Sequence, residues 1–260
     1  AEYARHPLLR TVGIDRGFYA PIPERDLARY AASLPAGFLA CAKAPEAVTS
    51  PVRVAPGSSR PAERNPDYLS PARLAAEMLD PFRRAFPAHT GPFLLQFPPS
   101  PTGARTPPLE FAERLDAFLS GLPRDLSYAV ELRDPSLLTD AYRDVLRRHR
   151  VAHVYNQATA MPGLPAQERV CPLDLAPFTV LRLLLRPGTR YAERKEAFAP
   201  FDRIVDRDDA MRADVADVVA RAARAGRGVF VLVNNKAEGS APLTLARLAE
   251  AIAAVRRAER

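Results

Sequence analysis

Seven apolar runs punctuate this chain, and each closes at or near its C-terminal end on a polar or charged residue. They are TVGID ending at Asp15, FLACAK at Lys43, PFLLQF with Gln96, YAVELR with Glu131 and Arg133, AHVYN at Asn156, TVLR at Arg182, and VFVLVNN at Asn234 and Asn235. The stretches between them carry helical stripes. In PERDLARYAASL, Leu27, Tyr30, Ala31 and Leu34 share one face behind Pro23, which suits a first turn, and LSPARLAAEMLDPFRRAF, PPLEFAERLDAFLSGL and PSLLTDAYRDVLRRH are read in the same way. From about Asp208, Met211, Val215, Val218 and Ala222 line one face of a helix predicted to stop before Gly226. The last helix is predicted to bury Leu245, Leu248, Ile252 and Val255. Strands alternating with helices imply a parallel sheet, because a parallel neighbour needs a crossover. The expected fold is α/β: a TIM-type (β/α) barrel, one domain over residues 1–260, with seven units visible where a closed barrel has eight.

Side-chain parity sorts each run. Ala129, Glu131 and Arg133 share one face while Val130 and Leu132 share the other, and Arg182 lies opposite Leu181 and Leu183. With the apolar parity against the helices, Asp15, Lys43, Gln96, Glu131, Arg133, Arg182 and Asn234 point into the barrel mouth. That is the face where barrel enzymes keep their chemistry. Asn156 is ambiguous, because His153 and Tyr155 on the opposite parity are themselves partly polar. Three connections, roughly residues 44–68, 98–107 and 157–178, exceed ordinary barrel loops and all leave strands at that face, so lids are expected there.

Composition narrows the classes. The chain has 260 residues, of which 47% are hydrophobic, enough for a substantial core, and no run approaches the roughly 18 apolar residues of a spanning helix. A cytoplasmic protein without membrane contact is expected. Cys41 and Cys171 form neither a CxxC pair nor a framework and read as packing residues. A net charge of +7 suits a polyanionic partner, but pairs such as Arg83-Arg84, Arg147-Arg148 and Arg256-Arg257 sit on separate helices, as solvated faces do. Of 37 cationic residues only Lys43, Lys195 and Lys236 are lysines, and two of them fall at strand ends. A lysine can lose its charge on burial and act as base or phosphate clamp, or it can simply be neutralised by a neighbouring carboxylate.

Glu131 and Arg133 share a face, and Arg182 is placed to reach the same carboxylate. Such a cluster is either a positioned base and substrate anchor or a salt-bridge ring that fills the barrel. Asp134 before Pro135 is predicted to cap the helix that starts near Ser136. Asn234, Asn235, Lys236, Glu238, Gly239 and Ser240 lead into a helix opened by Pro242, a combination suited to phosphate or carboxylate; the alternative is capping by Ser240 with Lys236 paired to Glu238. Of His6, His89, His149 and His153 only His153 lies on a strand, so no metal site and no cofactor are predicted, with magnesium between Asp15 and Glu131 as the one metal arrangement left. There is no GxSxG and no GxGxxG.

The segments IDRGFYAPIP, FLACAKAPEAVTSP, NPDYL, FLLQFPPS, YAVELRDPSLL and VNNKAEGSAPLTLARLAEAI together resemble the YecE-like family, domain of unknown function 72, over nearly the whole chain. The resemblance implies a TIM-type barrel without an established activity, and makes Tyr19, Lys43, Gln96, Pro98, Glu131, Arg133, Arg182, Asn234 and Asn235 the characteristic strand-end residues. This sequence departs from the family pattern at Gly13 and Asp15, where glutamate and asparagine are usual, and at Leu183 and Leu184, where His-Gly is usual. It also lacks the Gly-Trp opening, so the first barrel strand is expected to be missing.

The expectation is therefore an enzyme, a hydrolase or a lyase or isomerase without redox cofactor, acting on a small anionic or phosphorylated ligand. Glu131 would be the catalytic acid/base, Lys43 its electrostatic or general-acid partner, Arg133 and Arg182 anion clamps, and Gln96, Asn156 and Asn234 positioners, with Asp15, Tyr19, Asn235, Lys236 and Ser240 completing the substrate contacts. Two alternatives stand beside it: a nucleic-acid-directed protein like the barrel endonucleases, and a barrel that binds a ligand without turning it over.

Overall fold

The protein is described by a computed structural model over residues 2–53, 63–99, 105–158 and 160–258. Parts of the three long connections, residues 54–62, 100–104 and 159, thus lie outside the described residues. The strands are β1 Thr11–Ile14, β2 Leu39–Lys43, β3 Thr90–Phe97, β4 Tyr128–Leu132, β5 Ala152–Gln157, β6 Phe178–Leu183 and β7 Gly228–Val233. They are parallel and their order in the sheet follows the chain, with helices between them. This is the TIM-type (β/α) class expected, with seven strands in the main sheet among the described residues and a separate antiparallel ladder of Val52–Arg53 with Glu63–Arg64. The chain divides into two compact units, Ala1–Val130 and Glu131–Arg260, and the division falls inside β4.

In the first unit β1 and β2 pair from Thr11↔Leu39 to Ile14↔Ala42. Between β2 and β3 the register slips by one residue, from Ala40↔Thr90 to Ala42↔Phe93. Gly91 sits at the slip, where a Cβ would come within 2.8 Å of the Ala40 carbonyl oxygen, so the close approach requires glycine. The predicted LSPARLAAEMLDPFRRAF helix forms as a continuous helical run, Pro71–Leu74, Ala75–Leu79 and Asp80–Ala85, whose middle segment widens to a π turn. Pro81 follows directly; it has no N–H to donate and its ring would crowd the preceding turn, which the widening relieves. Leu27, Phe82, Phe86, Phe93, Phe111, Leu115 and Phe118 are buried in this unit.

In the second unit Val154 pairs with Val180 and Asn156 with Arg182, while Leu181 and Leu183 pair with Val231 and Val233. One core joins Tyr155, Leu181 and Leu183 to Leu164, Met211, Val215, Val218 and Leu248, with Val229, Val231 and Val233 packed against it. Val215 and Val218 come from the helix Asp209–Arg224 and Leu248 from Ala241–Ala258. The first of these helices buries its predicted face; in the second, Leu248 is buried but Leu245, Ile252 and Val255 are only half-buried. Asp134 accepts from the Ser136 N–H at 3.0 Å as predicted, although it caps a single 3-10 turn, and the α-helix starts at Asp140 behind Thr139.

The connection after β5 is fastened down. Gln167, on the helix Leu164–Val170, donates through Nε2 to the carbonyls of Asn156 and Pro162, both at 2.7 Å, while its Oε1 accepts the Asn156 N–H at 3.1 Å. Tyr155 donates its hydroxyl to the Cys171 carbonyl. This segment is bonded to its own strand.

Candidate functional site

Period-two alternation puts Leu181 and Leu183 in the helix-facing core and Arg182 on the other face of β6. Asn156, in register with Arg182, lies on that same side, which settles its ambiguous parity. From β4, Glu131 reaches Arg182, whose Nη1 donates to Oε2, while Arg133 Nε donates to Oε1 at 2.6 Å. Glu131 is wholly buried, Arg182 nearly so, and Arg133 keeps 23% of its side chain exposed. Burial pushes the Glu131 carboxyl upward, but the Arg182 and Arg133 guanidiniums outweigh it and hold the group below its ordinary value. Glu131 is thus an ionised anchor with both oxygens occupied, which makes it a poor proton donor and a weak base. The trio carries a net single positive charge, and its solvent-facing member is Arg133.

Asn156 is fixed beside this pair. Its Nδ2 donates to the Leu132 carbonyl at 3.0 Å, which sets the amide orientation, and its Oδ1 has no hydrogen-bond partner among the described residues. His153, on the opposite parity, contacts the Tyr142 hydroxyl at 3.0 Å through Nδ1 and Gln167 Oε1 at 3.1 Å through Nε2. It is a satisfied core histidine. No group of three or more His, Cys, Asp or Glu side chains among the described residues is arranged to hold a metal ion. Magnesium at Glu131 also fits poorly on chemical grounds, since two guanidiniums already neutralise that carboxylate.

The turn after β7 departs from the capping alternative given for it. Asn235 Oδ1 accepts the Ala241 N–H at 2.8 Å, so the helix Ala241–Ala258 is bonded at its start by Asn235, and Ser240 is buried. Lys236 does not pair with Glu238. Its Nζ donates to Asn234 Oδ1 at 3.2 Å and lies 4.5 Å from the centre of the Tyr191 ring. Glu238 turns inward, where Oε1 accepts the Asp208 N–H at 2.7 Å and Oε2 accepts Arg212 Nη2 at 3.0 Å.

Four expected site residues belong to the first unit. Lys43 Nζ lies 3.4 Å from the centre of the Phe18 ring, and Tyr19, packed edge-on against Phe18, is 82% exposed. Gln96 is buried on β3, and exposed Asp15 precedes the 3-10 turn Arg16–Phe18. Cys41 and Cys171 are buried and not joined in a disulfide, and burial pushes the Cys171 thiol up to about 12.

A second polar network went unpredicted. Gln157 Nε2 donates to Asp208 Oδ2 at 2.9 Å; Arg186 bridges Asp208 at 3.2 Å and Asp206 at 2.9 Å; Arg194 donates to Asp206. Asp208 also accepts the Met211 N–H at 2.9 Å as an N-cap. The one advance signal was the acid-rich DRDD ahead of a helix.

A protein family described as "Protein of unknown function DUF72" matches residues 1–259. Among solved structures, a DUF72 family protein from Enterococcus faecalis V583 is 18% identical, with a TM-score of 0.66, covering 96% of this chain and 91% of that one. A DUF72 family protein from Thermotoga maritima MSB8 is 17% identical, with a TM-score of 0.65, covering 96% and 87%. At these identities the likeness is one of fold. No curated protein matches the chain, and no helix among the described residues is long and apolar enough to cross a membrane.

Proposed function

The chain belongs to the DUF72 family, and from that premise we propose that it binds a small anionic molecule, a phosphate ester or carboxylate, at Arg133. The observation that carries this reading is how the Arg133 guanidinium is used. Its Nε is tied to buried Glu131, and its side chain is partly exposed. Its terminal amino groups have no partner among the described residues. A guanidinium fixed at one edge and open at the other offers two parallel N–H donors to an oxyanion with little ordering cost. Glu131 and Arg182 then act as the buried support that aims it. This gives Glu131 a positioning role in place of the acid–base role expected for it.

The test is calorimetric titration with methyl phosphate. Arg133→Met should weaken binding roughly ten- to a hundredfold, the size of one charge-assisted contact, in a protein that stays folded because Arg182 still neutralises Glu131. Equal affinity in the variant and the parent overturns the reading.

A further inference from the structure

Lys236 stands out in a chain whose cations are otherwise mostly tied to carboxylates. Glu238, two residues on, is committed to Arg212 and the Asp208 N–H, and Asp206, whose N–H donates to the Glu238 carbonyl, is committed to Arg186 and Arg194. The Lys236 ammonium meets neutral groups instead. They are Asn234 Oδ1 at 3.2 Å, the Tyr191 ring at 4.5 Å and the Phe201 ring at 5.9 Å. An ammonium has three donors, and the amide oxygen and the tyrosine face occupy two of them. No carboxylate partner for it occurs among the described residues. Tyr191, the first residue of the helix Tyr191–Phe198, is 61% exposed, unusual for a ring of its size. Phe201 is held in the left-handed region at φ 69°, uncommon for a bulky residue.

We propose that Lys236 and Tyr191 form a second contact point at the end of β7 for an anion that carries a planar ring. The ammonium takes the charged group, and the exposed edge of the Tyr191 ring meets the planar part on the side that the ammonium occupies. The ammonium contact holds the ring in place, so little freedom is lost when a ligand packs against it. This deepens the anion-binding reading by naming the ligand class, but it rests on residues separate from Arg133.

The experiment compares phenyl phosphate with methyl phosphate on the full chain by calorimetry. Phenyl phosphate should bind about tenfold more tightly, an aromatic-contact gain. Tyr191→Ala should erase that preference without altering methyl phosphate affinity, Tyr191→Phe should keep it, and Lys236→Met should weaken phenyl phosphate by about tenfold or more. Tyr191 is exposed, so its replacement leaves the fold intact. A preference that survives Tyr191→Ala, an unchanged affinity in Lys236→Met, or no binding of phenyl phosphate at millimolar concentration each overturns the proposal. Loss of methyl phosphate binding in Arg133→Met with no effect of Lys236→Met would sink this inference and leave the Arg133 reading standing; the opposite pattern would do the reverse.

Discussion

Glu131 on β4 and Arg182 on β6 are 51 residues apart in sequence, yet their side chains meet across β5 as a buried ion pair. Two buried charges justify their desolvation only together. Glu131→Gln would leave the Arg182 guanidinium buried without its counter-charge, and should cost about 3–5 kcal/mol in urea unfolding. The double change Glu131→Met with Arg182→Met should recover most of that loss, since apolar residues of similar volume commonly replace a buried pair at little cost. A Glu131→Gln protein as stable as the parent would show that the pair contributes nothing to the fold.

Arg133 shares the same carboxylate from a partly solvated position, and the contrast separates support from recognition. Arg133→Met should cost less stability than Glu131→Gln, because Arg182 still neutralises the buried Glu131 carboxylate. Anion binding should fall in the same variant. If stability drops as far as in Glu131→Gln, Arg133 belongs to the buried framework and has no separate part in recognition.

His153 gives a pH dependence with a definite sign. Gln167 Nε2 donates to two carbonyls, so its Oε1 faces His153 and requires an Nε2–H, leaving Nδ1 to accept from Tyr142. Burial drives its pKa from 6.5 down to about 4, against smaller upward pulls from Gln167 and the Glu131 charge. Between those values the unfolded chain takes up a proton that the folded chain refuses. Stability is therefore complete above pH 6.5 and falls as the pH drops toward 4, by up to about 3 kcal/mol over the window. Unfolding free energies measured from pH 7.5 to 4 should show this slope, and His153→Gln should flatten it relative to the parent. Parallel profiles would mean that His153 titrates normally.

How much of this was legible in the sequence depends on what fixed each feature. Alternation along YAVELR and VLRL predicts that Glu131, Arg133 and Arg182 lie on one side, because strand geometry dictates parity whatever the loops do. Asn156 needed the register, since only its pairing with Arg182 tells which of two half-polar faces turns away from the helices. The Arg186, Arg194, Asp206 and Asp208 network lay out of reach: loop residues carry no periodicity, and partners are chosen by the path of the chain. The Lys236 and Glu238 pairing failed for a related reason. Residues two apart on a tight turn diverge, and Gly239 at φ 123° directs the backbone so that Glu238 faces Arg212.

That glycine carries the last prediction. A Cβ at Gly239 would stand 2.4 Å from the Arg203 carbonyl oxygen and 2.9 Å from the Val205 nitrogen, in a conformation that L residues rarely adopt. The contact is tight because the Val205 and Asp206 N–H groups both donate to the Glu238 carbonyl, at 2.7 and 3.1 Å, and the Asp208 N–H donates to its side chain. One residue thus receives three backbone donors from a neighbouring segment. Gly239→Ala should cost at least about 2 kcal/mol by combining strain with the clash, and Glu238→Gln about 3 kcal/mol by leaving Arg212 without its buried counter-charge. Gly239→Ala displaces the Glu238 carbonyl and should raise amide exchange at Val205 and Asp206, while Glu238→Gln alters the side-chain acceptor and should raise it at Asp208, in both cases ahead of global unfolding. Exchange at those three amides that stays at the parent level in both variants would show that the segment is held by something other than this turn.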